Sequence, residues 1–92
     1  MNDLTQHASR RITQRGIPLL IVHWLLAYGE EKHDGRGGVI RFFSHRSVRR
    51  LRRDVGGQPV RRLHKYLRTY VVEGLDNGSV ITVGWRDKRI KS

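Results

Sequence analysis

Between Leu4 and Arg15 the apolar residues Leu4, Ala8 and Ile12 return every fourth position among polar neighbours. That is the spacing of one helix face, and Asp3 or Thr5 stands where a cap is needed. Gly16 is a natural stop, and Pro18 suits the first turn of a second helix over residues 18–28. Apolar residues fill almost every position there: Leu19, Leu20, Ile21, Val22, Trp24, Leu25, Leu26 and Tyr28. A helix apolar all round is expected to be buried, so this segment is predicted to be the centre of the core, with His23 a satisfied core histidine.

The pattern then changes. "EEKHDGRGG", residues 30–38, reads as a polar hairpin tip with at most a weak strand at its start; "GRGG" lacks the lysine and following helix of a phosphate-binding loop. "VIRFF", residues 39–43, reads as a strand with Arg41 its odd polar member. Ser44 or Ser47 can cap a helix with Val48, Leu51 and Val55 inward, closed by Gly56-Gly57. Pro59 restarts a short helix with Val60, Leu63 and Leu67 on one face. From Arg68 the period becomes two. "TYVVEG" and "SVITVGW" read as strands joined through Asn77-Gly78, a strong hairpin signal, and "RDKRIKS" as an extension of the last strand.

With Asn77-Gly78 as a two-residue turn, Val72 pairs with Val83, Tyr70 with Trp85 and Thr69 with Arg86. Tyr70, Val72, Val83 and Trp85 would then pack on the second helix. Thr69, Val71, Glu73, Thr82, Gly84 and Arg86 would share the other face, where Gly84 leaves room for a ligand. The expected fold is α+β: two N-terminal helices packed on a small antiparallel sheet, with a basic helical insertion before the C-terminal hairpin. Ninety-two residues make one domain, residues 1–92, with a small core.

Charge adds what the pattern does not. Nineteen lysines and arginines against eight acids leave a formal +11, which attracts polyanions and speeds their capture. Nucleic acid is the abundant intracellular partner of that sign. The chain has no cysteine, so thiolate metal sites and cysteine nucleophiles are excluded, and a reducing cytoplasm fits. The longest apolar run, "IPLLIVHWLLAYG", falls well short of the roughly 20 residues of a membrane span, and the N-terminus has no signal-peptide pattern. A soluble protein with no membrane partner is expected. The histidines lack metal-binding spacing and have no accompanying carboxylates, so no metal or other cofactor is expected.

"HASRRITQRGI", residues 7–17, is similar to the pattern H-A-x-x-R-x-x-x-R-G-I that opens a group of small bacterial proteins. The order that follows is similar too: an apolar helix ending in Tyr-Gly, a glycine-rich turn, a strand and a terminal "VITV-x-x-R" hairpin. More distantly the chain resembles BrnT and RelE-type toxins, small basic ribonucleases with helices against an antiparallel sheet, from which it departs by its insertion at 44–66. The resemblance implies a RelE-like architecture, RNA ahead of DNA as partner, and an acidic antitoxin-like protein as a further one.

His7, Arg11 and Arg15 recur at four-residue spacing and form one stripe. Metal-independent RNA cleavage needs a base for the 2′-hydroxyl proton and cations for the charge building on phosphate, and such a stripe carries both. The commoner use of such a stripe is structural, with the arginines a solvated helix face and His7 partly packed near the sheet. Arg41 and Arg86 are candidate phosphate clamps or edge-strand charges; the toxin resemblance favours Arg86, which joins His7, Arg11 and Arg15 in the candidate catalytic set. Arg41, Arg49, Arg50, Arg52, Arg53, Arg61, Arg62, Lys65 and Arg68 form the candidate nucleic-acid-binding set. Those within 44–68 are expected to point several ways, as an electrostatic collar around an apolar seam. The competing functions are a toxin-like endoribonuclease, a non-enzymatic nucleic-acid-binding module, and a protein docking an acidic partner.

Overall fold

The computed structural model describes residues 4–86; Asp3, a candidate cap, and the expected strand extension over 87–92 lie outside them. The chain runs α1 (Gln6–Gln14), α2 (Leu19–Tyr28), β1 (Glu30–His33), β2 (Gly38–Phe42), α3 (His45–Val55), α4 (Gly57–Arg62), a 3-10 turn (His64–Arg68), β3 (Thr69–Gly74) and β4 (Val80–Trp85). The four strands form one antiparallel sheet in the order β1-β2-β3-β4. The fold is α+β, as the periodicity predicts.

Thr5 starts α1. Its side chain accepts from Ala8 N at 3.1 Å, while its own hydroxyl donates to Ile81 O and its backbone N–H to Val80 O, each at 3.1 Å. One residue therefore caps the helix and ties it to β4. Gly16 adopts φ 62, the left-handed conformation that glycine tolerates best at a helix end. The core joins Ala8 and Ile17, Ile21, Val22, Trp24 and Leu25 of α2, Leu51 of α3, Val60 of α4, and Val71, Val80 and Val83 of the sheet. Only one side of α2 is used. Leu19 and Leu20 are 46% and 48% exposed, and His23, expected inside, faces solvent. A helix lying on one face of a four-stranded sheet, with α3 packed against it, is not enclosed all round.

The hairpin register differs from the expected one by a single residue. Val71, not Val72, lies opposite Val83, and Thr69 opposite Trp85. A two-residue turn of the expected type needs positive φ at both central residues. Among the described residues every positive φ belongs to glycine, so Gly78 (φ 69) meets the requirement and Asn77 does not. The chain instead closes through Gly74 N–H to Ser79 O at 3.0 Å and Gly78 N–H to Gly74 O at 2.9 Å, leaving four residues in the loop. Leu75 N–H meanwhile donates to Gly37 O in the neighbouring hairpin at 3.0 Å. An irregularity at Val72/Glu73 turns Ile81 outward.

The slip exchanges the two faces of β3 and leaves those of β4 as expected. Val71, Val80 and Val83 enter the core, and Tyr70, Val72, Thr82 and Gly84 take the opposite face. Gly84 is not an open seat for a ligand. A Cβ there would stand 2.9 Å from Tyr70 Oη, because the Tyr70 ring covers the position.

Candidate nucleic-acid interface

Helix α3 carries most of the basic insertion, and its boundaries are set locally. Ser44 accepts from Ser47 N at 3.1 Å, and Ser47 Oγ accepts from Ser44 N at 2.7 Å, a reciprocal box that satisfies two backbone donors at the helix start. Gly56 ends the helix at φ 95. Ser47 and Leu51 are fully buried, and Val48 and Val55 pack against the same core. The opposite side presents His45, Arg46, Arg49, Arg50, Arg52 and Arg53, all exposed. These side chains do not scatter. Docking the apolar seam against α2 and α4 turns them to one side.

Their tethers are few. Arg50 Nη2 donates to Tyr28 O at 3.1 Å, placing a cation on the negative end of α2. Arg46 Nε is 3.9 Å from Glu30 Oε1, and Arg53 Nε 3.9 Å from Asp54 Oδ1. Asp54, the lone acid of α3, accepts from Tyr28 Oη at 3.0 Å. That hydrogen bond raises the Tyr28 pKa above its ordinary value. The side chains of Arg49 and Arg52 make no hydrogen bond or ion pair among the described residues. Arg61, Arg62, Lys65 and Arg68 are exposed on α4 and the 3-10 turn; Lys65 Nζ lies 5.0 Å from the Tyr66 ring centre, and Arg68 Nη2 3.5 Å from Arg86 O.

Arg41 is held differently. Its Nη2 lies 2.9 Å from Glu31 Oε1 and its Nε bonds Glu73, whose side chain is 8% exposed. Two carboxylates thus occupy the guanidinium. Cross-strand register creates this arrangement, since Glu31 is paired with Arg41 and Glu73 with Val39, two residues from Arg41 on the same face of β2.

The four catalytic candidates fall into two groups. On α1, Arg11 Nε stands 3.4 Å from His7 Nε2, with His7 and Arg15 exposed and Arg11 half-buried. Trp85 Nε1 donates to Arg15 O at 3.1 Å, so Trp85 faces α1. Arg86, next in sequence, projects from the other face of the sheet. Its Nη2 donates to Phe43 O at 3.2 Å and Leu67 O at 3.0 Å, and its guanidinium lies 5.8 Å from the Phe42 ring centre. This arginine ties the ends of β2, the 3-10 turn and β4 together. Among the described residues no group of three His, Cys, Asp or Glu side chains could hold a metal ion, and no helix is long and apolar enough to cross a membrane.

The shared direction of the α3 cations was readable from helical spacing but needed the docked side to be known. The roles of Arg41 and Arg86 had no local signal, because their partners are 32 and 43 residues away.

No family model, curated protein or solved structure matches the chain. What fold and surface define is a class: a small α+β protein carrying a docked, strongly cationic helix between the second and third strands of an antiparallel sheet.

Proposed function

We propose that the chain is a nucleic-acid-binding protein whose contact surface is the exposed side of α3, extended by Arg61, Arg62, Lys65 and Arg68. One observation carries the reading: every outward position from His45 to Arg53 is arginine or histidine, on a helix whose other side is anchored in the core. Arginine forks match phosphate oxygens in pairs, and a rigid helix holds them in register. The affinity should then be dominated by counterion release, with log K falling against log salt by about 0.9 for each phosphate contacted on a duplex. Fluorescence anisotropy across a salt series measures that slope. Binding that does not change with salt overturns the proposal.

The His7–Arg11 pair favours a second reading, a RelE-like, toxin-like endoribonuclease working without metal. The resemblance of residues 7–17 and the placement of helices against an antiparallel sheet support it. Arg86 enters that reading only as a brace, since its guanidinium is taken up by two carbonyls. RNA incubated with the protein in EDTA should be cut, and His7→Ala should abolish cutting at unchanged stability. RNA left intact under these conditions removes the second reading and leaves the binding proposal standing.

A further inference from the structure

The cationic side of α3 is wider than contact with one strand requires. At about 100° per residue, His45, Arg46, Arg49, Arg50, Arg52 and Arg53 span about 160° of the helix circumference. Arg52 and Arg50 lie at the two edges, with Arg49 and Arg53 at the crest. A helix resting on a single sugar–phosphate strand would use one edge of that arc. Cations on both edges and the crest suit a helix lying between two rows of phosphates. The B-form major groove, roughly 12 Å wide, admits an α-helix, whereas the A-form RNA major groove is deep and too narrow for side chains to read.

The aromatic residues argue in the same direction. Proteins that hold single strands present exposed rings on which bases stack. Here none of the seven aromatic residues is exposed. Trp24, Phe42 and Phe43 are buried. Tyr28 is engaged by Asp54, Tyr66 lies against Trp85 with ring centres 5.5 Å apart, and Tyr70 covers Gly84.

We infer that α3 lies in the major groove of duplex B-form DNA, with Arg49 and Arg53 facing base edges and Arg46, Arg50 and Arg52 meeting the flanking phosphates. The inference rests on the nucleic-acid reading above and takes duplex DNA as partner in place of the RNA implied by the resemblance. Guanine presents O6 and N7 side by side in that groove, so the crest arginines select G-containing steps.

The test uses the full chain with three probes of one sequence: a DNA duplex of about 20 base pairs, two B-form turns, the matching RNA duplex, and the single DNA strand. The DNA duplex should bind tightest, and bound protein should protect guanine N7 from dimethyl sulfate. Arg50→Ala or Arg52→Ala should each lower the salt slope by about 0.9. Arg49→Ala and Arg53→Ala should instead leave the slope nearly unchanged and weaken binding about 5- to 150-fold on a G-containing site. Unprotected N7, or RNA duplex or single strand bound as tightly as the DNA duplex, overturns the groove assignment alone. Failure to bind any of the three at low salt overturns the nucleic-acid reading beneath it. Circular dichroism of each variant confirms that the fold is retained.

Discussion

Shortening Val71 to alanine removes two carbons from a side chain that is fully buried between the strands and α2, whereas the same change at Val72 acts on the half-buried opposite face. At about 0.8 kcal/mol per buried carbon, Val71→Ala loses about 1.6 kcal/mol of transfer free energy. The cavity it leaves brings the cost to about 2–3 kcal/mol. Val72→Ala should cost about 1 kcal/mol. Both are valines in one strand, adjacent in sequence, so strand propensity and unfolded-chain effects largely cancel in the comparison. Urea titration followed by Trp24 and Trp85 fluorescence reads the difference. With m near 1 kcal/mol/M, the midpoint should fall by about 2–3 M for Val71→Ala and about 1 M for Val72→Ala. A Val72→Ala variant as damaging as Val71→Ala would refute the register.

Ser44→Ala removes the capping box of α3 and should cost about 1 kcal/mol, seen as a melting temperature lower by about 4–8 °C. Arg41→Ala leaves Glu73 buried without its guanidinium and should destabilise by about 2–3 kcal/mol in denaturant, while the salt slope of nucleic-acid binding stays unchanged. Asp34 accepts from Arg36 N and Gly38 N at the β1–β2 tip, and these bonds hold its pKa below the ordinary value. Its contribution is therefore complete above the unfolded-state pKa and is lost as pH falls through the folded one. Asp34→Asn should flatten that part of the acid limb of stability against pH. An unaltered limb would show that the tip hydrogen bonds add nothing.

The helices were legible because their signals are local. Ala8 and Ile12 at four-residue spacing, Thr5 as cap and Gly16 and Gly56 as stops act within a turn or two of where they stand, whereas Leu4, read with them, bridges to Val80 ahead of the helix. The strands "TYVVEG" and "VITVGW" announced themselves through period two and β-branched content. The candidate cations were equally legible as a list. Which of them could meet a ligand was not, since Arg41 looks from sequence like Arg49 and is neutralised by Glu31 and Glu73 only after three strands pair.

Alternating and four-residue patterns thus determined which segments become helix or strand, and the arginine-rich insertion determined that one surface would be cationic. Tertiary structure decided how those segments meet. Asn77-Gly78 suggested one register, but Leu75 bonding to Gly37 and the left-handed Gly78 closed a longer loop, and a shift of one residue exchanged the faces of β3. The physical reason is that a strand's side-chain period is two, so its inward face depends on hydrogen bonds made to a neighbouring strand. A helix face is written in its own spacing, yet the direction it turns its arginines is set by what its seam docks against. That docking gathered the cations of α3 onto one side, while the carbonyls of Phe43 and Leu67 made Arg86 a brace.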